Sequence, residues 1–449
     1  MITIGKPYIT DEGEHSYLKA RVFVSDDTAK AWIEFSKKCY KVLWRTEEDY
    51  PPKAWKDNDY ALWFRVPCEY KQYLTDEVCD AFLVAMIYYA MASGADIECM
   101  APVSEKLYYG LCNHVIPLLC NENNGYKRIG IKAETTNRNF SLEKVNGTGM
   151  SCGVDSLYTL LKYTSDDVPE NYKLGALTYL NMGAIFHPGI NTKTKKTYSL
   201  ENFYKRTHEM SDEKYDNAVK VGEEVNLPVI YIVSNFDEDF YRGGYGYTGV
   251  YRNMACVLAM SKYFSKYYCS SAGWPEFYDP TLEDGSEHYE LMMCPFMSTD
   301  SVEFILSDEA TRLEKTKALS EYGPSQKYLD VCFNFDNCGV CSKCYRTLIT
   351  FDLIGCLDNY TECFDIEKFR KHRAQAYYWL LVTQSPRSVA DNAIFANELY
   401  KLAKKQKAIP LSSKIKYIFF GPVLWLKDKI AGLVPLSLKR KILKKLKQI

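Results

Sequence analysis

Apolar and polar positions follow two regimes along this chain, and the change falls near residue 136. Leu18–Val24 and Tyr60–Val66 are rich in β-branched and aromatic residues and predict strands. Asp76–Ala92 carries apolar residues at helical spacing, and so does the stretch after Pro102; both predict helices. Arg128–Lys132 predicts a further strand. Residues 1–135 therefore read as an N-terminal α+β domain, and no motif in them points to a chemistry.

From 136 onward, strand-like and helix-like segments alternate. A Gly-rich turn over 147–153 precedes a helix at Leu157–Tyr163, and Leu174–Leu180 follows as a strand. After a polar insertion come a helix around Tyr215–Val225, a strand at Pro228–Ser234 almost without polar side chains, and a helix at Asn253–Phe264. Strands this apolar are buried on both faces, so the alternation predicts an α/β fold with a parallel sheet flanked by helices. Ligands of such sheets sit beyond the carboxyl ends of the strands, which makes the loops there the place to look for function. Residues 357–408 read as helical and lead into a basic tail. The domains expected are thus 1–135, 136–355 and 356–449, with no internal repeat.

Composition adds limits. A chain of 449 residues exceeds one ordinary core, and 47% hydrophobic with 25% charged residues is a globular balance. The formal net charge of -1 gives the whole chain no electrostatic pull toward nucleic acid. Residues 411–449 depart from that average, with ten Lys or Arg against the single acid Asp428. Met1–Lys6 lacks a basic segment followed by an apolar one, so no secretory signal is read and a cytoplasmic protein with reduced thiols is expected. No apolar stretch reaches the roughly 20 residues that a spanning helix needs.

Candidate chemistry gathers at two places. Residues 147–156 read Gly147-Thr148-Gly149-Met150-Ser151-Cys152-Gly153-Val154-Asp155-Ser156. Small residues let a backbone approach a ligand closely, and the helix that follows aims N–H groups and a positive dipole end at it. Ser151 and Ser156 add hydroxyls. Asp155 cannot favour an anion directly, which leaves Mg²⁺ or loop geometry as its role. The same residues would also serve an ordinary helix start, since Ser and Asp cap helices and Gly turns the chain. No Gly-x4-Gly-Lys-Ser/Thr loop occurs, so γ-phosphoryl transfer is not indicated.

The second place is Cys332, Cys338, Cys341 and Cys344, four thiols within thirteen residues. Two-residue spacings let a tight turn present two thiolates to one ion, and Gly339 suits that turn; Zn²⁺ takes four such ligands in a tetrahedron. A site closed by four cysteines is structural rather than catalytic. An iron–sulfur cluster is the chemical alternative, and four buried core cysteines the plain one. The other twelve cysteines, Cys356 and Cys363 among them, are expected to fill cores.

The loop Ser151-Cys152-Gly153-Val154-Asp155-Ser156 resembles the pyrophosphate-binding loop of the PP-loop ATP pyrophosphatases, Ser-Gly-Gly-x-Asp-Ser, with Cys152 where the family has Gly. Together with the cysteines it resembles one branch, the 7-cyano-7-deazaguanine synthases. Counterparts run in the same order: Arg252-Asn253 opening a helix, Gly273-Trp274-Pro275-Glu276-Phe277 at an acidic turn, Arg312-Leu313-Glu314-Lys315-Thr316-Lys317, then the cysteines and Arg346-Thr347. The resemblance covers about residues 136–355. The turn lacks the branch's Tyr-Pro-Asp-Cys wording, so its heterocyclic substrate is not carried over.

The resemblance implies that an acceptor oxygen attacks the α-phosphorus of ATP, pyrophosphate leaves, and a nitrogen or sulfur nucleophile displaces AMP from the adenylate. Ser151, Cys152, Gly153, Val154, Asp155 and Ser156 would then hold pyrophosphate. Asp155, Arg252 and Lys315 become the catalytic candidates, Arg312 a further cation, and Leu180-Asn181-Met182-Gly183 the segment that receives adenine. ATP, Mg²⁺ and Zn²⁺ are the expected cofactors. A small-molecule acceptor and ammonia or another nitrogen donor are the expected partners, since no glutaminase domain is recognisable. For each basic residue the alternative is a solvated charge, and for 180–183 an ordinary strand-end turn. His187 could face the site or be a hydrogen-bonded structural residue, and Tyr241–Gly249 could cover substrate or be a plain surface loop.

Leu438–Ile449 places apolar residues three and four apart among lysines, an amphipathic basic helix suited to an anionic membrane, as a peripheral contact at the inner face. A helix packed on the body with its lysines in water is the alternative. Three functions follow: an adenylating ligase or amidotransferase on a small metabolite; a tRNA-modifying enzyme, although no basic-aromatic module supports nucleic acid; and a non-catalytic nucleotide-binding protein.

Overall fold

The structure, a computed structural model, describes residues 1–39, 60–120, 125–183, 200–241, 248–271, 273, 278, 289–332, 336–384 and 393–420. His187, the 274–277 part of the acidic turn, most of Tyr241–Gly249 and the tail beyond 420 lie outside them. The chain forms two compact units, Met1–Asp336 and Asn337–Ile449.

The first unit is built on one 11-stranded sheet. Its strands are β1 (Ile2–Ile4), β2 (Tyr8–Glu12), β3 (His15–Val24), β4 (Tyr60–Pro67), β5 (Ile97–Cys99), then, past a two-residue strand β6 (Val103–Ser104), β7 (Ile131–Lys132). β8 (Thr135–Thr136) pairs with β6 in a separate small sheet. The main sheet resumes with β9 (Val145–Gly149), β10 (Ala176–Asn181), β11 (Val229–Ser234), β12 (Phe264–Cys269) and β13 (Glu303–Leu306).

Burial explains both regimes. β3 alternates buried and more exposed positions, as a strand with one wet face does, whereas β10 buries five of its six residues. The strands β9 to β13 lie side by side in the order β11-β10-β9-β12-β13, and every pair among them is parallel. The chain enters in the middle at β9, moves outward through β10 and β11, then returns to the other flank of β9 for β12 and β13. Strand order therefore reverses between β9 and β12, where loops leaving the carboxyl ends diverge and open a crevice. Helices Val154–Tyr163, Leu200–Val225, Gly249–Leu258 and Arg312–Leu319 connect or follow these strands. The α/β fold with a mostly parallel, helix-flanked sheet is as the alternation predicted.

Three differences have local causes. Residues 147–149, expected as turn, complete β9. Gly147 is needed there because a Cβ would sit 2.5 Å from the Phe264 ring. The helix expected over Asn253–Phe264 is Gly249–Leu258, and Phe264 instead begins β12; ring packing of Phe264 and Tyr267 against β9 overrides the helical spacing. The boundary expected at 135/136 is crossed by main-chain pairing. β4 pairs antiparallel with β11 through Arg65 and Phe64, covering an edge that would otherwise present open N–H and C=O groups. Asn235 locks this seam, accepting from Trp63 N and donating to the Ala61 carbonyl, each at 3.0 Å.

Helix Asp80–Ser93 is buried on every side, which its apolar sequence requires, and it ends at Gly94 with φ 70. In the second unit, helices Ser342–Ile354, Ile366–Thr383 and Ala393–Lys405 pack on one another, with Phe351 stacked on Tyr360 at 3.7 Å. Ser342–Ile354 thus belongs with the later helices, where the sequence had placed a boundary at 355/356. Residues 411–420 form a further helix. No helix among the described residues is long and apolar enough to cross a membrane.

Candidate active site

β9 ends at Gly149, and the chain turns through Met150–Gly153 into helix Val154–Tyr163. Met150 N donates to the Thr178 carbonyl of β10 at 2.7 Å, so the turn starts from a fixed point. Cys152 then takes φ 58, the left-handed region that glycine enters without strain. Its side chain is 1% exposed, and it is absent from the wall of the cavity that the turn borders. The Cys152 carbonyl accepts from Asp330 N at 2.8 Å. Asp330 in turn pairs with Lys214 and accepts from Cys332 N at 3.2 Å; burial nonetheless pushes its carboxyl up from the ordinary value.

The helix is capped by Gly153, which offers no side-chain bond. The hydroxyls of Ser151 and Ser156 lie 3.3 Å apart, Ser151 Oγ accepts from Gly153 N at 3.4 Å, and Ser156 Oγ donates to the Gly153 carbonyl at 3.1 Å. Above them is a cavity of about 250 Å³. The loop residues Gly149, Ser151, Gly153, Asp155 and Ser156 form one wall. Leu180 and Tyr179 at the end of β10, the end of β12, Val250, Asn253 and Glu290 form the rest. This is the crevice at the strand-order reversal. Burial holds the Tyr179 phenol far above its ordinary value, so it stays neutral.

Beneath the loop is a charged network. Arg312 Nη2 donates to Asp155 Oδ2 at 2.7 Å. Lys315, 1% exposed, reaches Asp155 Oδ1 at 3.4 Å, Asp308 Oδ1 at 2.9 Å and the Ser271 carbonyl at 2.7 Å. The ammonium thus donates to Asp155 and Ser271 and is paired in addition with the Asp308 carboxylate. Asp308 Oδ2 accepts from Ser307 Oγ at 2.7 Å, which itself accepts from Thr159 Oγ1 at 3.0 Å on the loop's own helix. The capping box of Thr311 with Glu314 fixes the start of the helix that carries both cations. Asp155, Arg312 and Lys315, chosen from sequence, therefore meet in space.

Arg252 does not join them. It is 1% exposed, outside the cavity wall, with Nε donating to Thr248 Oγ1 at 2.7 Å and Nη1 to Asp237 Oδ1 at 2.8 Å and the Met182 carbonyl at 2.9 Å. Gly183, at φ 89, permits this approach, since a Cβ would lie 2.3 Å from Arg252 Nη1. Arg252 thus clamps the 180–183 segment. Leu180 lines the cavity, Asn181 donates to Tyr231 Oη at 3.1 Å, and Met182 is buried.

The cysteines do come together: the Sγ atoms of Cys332, Cys338, Cys341 and Cys344 lie within 4.8 Å of one another. Cys338 and Cys344 Sγ are 3.9 Å apart, against about 3.8 Å for two thiolates on a tetrahedral Zn²⁺ with bonds of about 2.3 Å. Cys341 Sγ accepts from Cys344 N at 3.5 Å, and Gly339 takes φ 73 at the turn. The cluster fits a four-coordinate soft metal ion such as zinc.

Sequence reasoning missed Asp308, Ser271, Asn253, Glu290 and Cys269. The first two follow strands β13 and β12, which periodicity did not identify. Asn253 was seen only as the neighbour of Arg252, yet it is the member of the pair in the wall. Cys269 lines the cavity and shares a hydrogen bond with the buried Cys294 thiol, which that contact and burial push far above its ordinary value. Comparison of the chain with protein-family models, characterised proteins and solved structures finds no match.

Proposed function

We propose that this chain is a PP-loop enzyme: at this cavity an acceptor oxygen attacks the α-phosphorus of ATP, the bond to pyrophosphate breaks, and a nitrogen or sulfur nucleophile then displaces AMP from the adenylate. The observation that carries this reading is the place of Gly149–Ser156. The loop leaves the central strand of a parallel sheet where strand order reverses, and a helix start faces a cavity there. It has no lysine of the kind that a γ-phosphoryl loop uses.

In this reading the amides of 151–156 and the two serine hydroxyls hold the leaving pyrophosphate, and Leu180 with Tyr179 borders the adenine side. Such a reaction asks the protein for position and charge neutralisation rather than covalent help. Arg312 is the cation proposed for that role, because it is tied directly to the loop carboxylate Asp155 at 2.7 Å. Lys315, buried between Asp155 and Asp308, serves to position Asp155. Arg252 shapes the 180–183 segment from behind. Asp155 is the loop carboxylate that would hold Mg²⁺, which would supply charge neutralisation on the phosphates. Zinc on the four cysteines is structural. The cavity suits a small-molecule acceptor, with ammonia or another donor supplying the nucleophile, in a cytoplasmic setting. Cys152 is buried and is not among the residues lining the cavity, which weakens the chief argument for a non-catalytic protein.

The test follows α-labelled ATP with Mg²⁺, ammonia and a metabolite extract, using Asp155→Ala as control. AMP that forms with wild type and not with the variant supports the reading. ADP as the product refutes it.

A further inference from the structure

We propose that the outward face of helix 411–420 docks this protein on an anionic lipid surface. The proposal is independent of the chemistry assigned to the cavity. Fourteen large apolar side chains are exposed among the described residues, and five of them fall in this one helix: Leu411, Ile415, Ile418, Phe419 and Phe420, between 47% and 71% exposed. The other nine are scattered, as on any soluble surface, and need no explanation.

The arrangement is inverted. At about 100° per residue, Leu411, Ile415, Ile418 and Phe419 fall within one stripe about 100° wide. Ser413 lies on the opposite side and is the residue that packs: it is 1% exposed, and its Oγ donates to the Ala374 carbonyl at 2.7 Å. Lys416, on the flank, donates to Gln375 Oε1 at 2.7 Å and lies over the Tyr378 ring. Lys414 occupies the other flank. An ordinary surface helix buries its apolar stripe and wets its polar one. Here the side bearing Ser413 is anchored to the second unit and the apolar stripe is offered outward, with Lys414 at one margin where its ammonium can reach headgroups.

Charge selects the occupant. Residues 411–449 carry ten Lys or Arg against Asp428 alone. A second copy seated on this face would bring two such segments together, like charge on like. An anionic bilayer supplies both the apolar interior that the stripe fits and the negative surface that the lysines fit.

Full-length protein is sedimented with vesicles of phosphatidylcholine alone and of phosphatidylcholine with phosphatidylglycerol. Wild type should bind the anionic vesicles at least about tenfold more tightly, and added salt should weaken that binding. The variant Leu411→Ser/Ile415→Ser/Ile418→Ser/Phe419→Ser should lose at least about tenfold. A second variant, Lys414→Glu/Lys441→Glu/Lys444→Glu, leaves the stripe intact and should lose binding to anionic vesicles only. Wild type that ignores both vesicle types, or binding unchanged by the serine substitutions, overturns the proposal. A dimer in sedimentation velocity that the serine substitutions abolish, without vesicle binding, assigns the face to a second copy and overturns it as well.

Discussion

Asp80 is the group whose ionisation most directly taxes the fold. It opens the buried helix Asp80–Ser93 and is itself 1% exposed. Ser104 donates to it twice, from its N–H at 2.8 Å and from its hydroxyl. Burial outweighs those bonds, and with Asp300 adding like charge, the carboxyl is pushed up to about 6. Its ordinary value is 3.8, so the folded chain holds this proton more tightly than the unfolded chain does. The stabilisation from the proton is complete below 3.8 and is lost as pH rises through about 6. Asp80→Asn keeps the shape, with an amide oxygen to accept from Ser104 N, and removes the charge. At about 1.36 kcal/mol per pH unit, the variant's stability relative to wild type should rise by about 2 kcal/mol between about pH 4.5 and about pH 7.5. Urea unfolding of both proteins across that range measures the difference, and every carboxylate common to both cancels. A difference flat across the range would mean that the carboxyl ionises at its ordinary value, and the burial argument would fail.

Other outcomes follow from the site. Full-length protein should contain one zinc per chain by metal analysis, and Cys338→Ser should lose it, since three thiolates leave the tetrahedron open. Lys315→Met strands Asp308 and Asp155 without their shared partner and should cost about 3–5 kcal/mol in chemical unfolding. Arg312→Ala should instead abolish AMP formation with a smaller stability loss than Lys315→Met, since it leaves Asp155 still paired with Lys315; equal losses of stability in the two variants would contradict the division of roles. Cys152→Gly relieves about 1–2 kcal/mol of left-handed strain and forfeits about 1 kcal/mol of buried thiol, leaving thermal stability nearly unchanged. Cys152→Val, β-branched at φ 58, should be the less stable of the two.

How far the sequence could be read depended on how local each feature is. The cysteine cluster was legible because its spacing is its geometry: four ligands within thirteen residues can close on one another whatever surrounds them. β10 and β11 were legible because burial on both faces leaves an unbroken apolar run. β9 and β12 were not, because each is decided by the other. Gly147 looks like a turn until Phe264 is seen against it, and Phe264 looks like the end of a helix until it is seen on β9. The same holds for β13, whose single fully buried residue, Phe304, gives no period to find.

Those three strands decide what the basic residues can do. Because β12 and β13 lie on the far flank of β9, the loops that follow them carry Ser271 and Asp308 underneath Asp155, and Lys315 is held among all three. Arg252 sits on the helix that precedes β12, with Met182 and Asp237 beside it on the β10 and β11 side, so it points away from the loop that sequence order had suggested it would serve. Collinearity of motifs preserved the order of these residues but carried no information about side. The next residue along, Asn253, faces the cavity, and its amide can both donate and accept. If Asn253 orients the acceptor, Asn253→Ala should raise the KM for that acceptor while leaving ATP binding intact. A loss of ATP binding would place Asn253 on the nucleotide instead and move the acceptor toward Glu290.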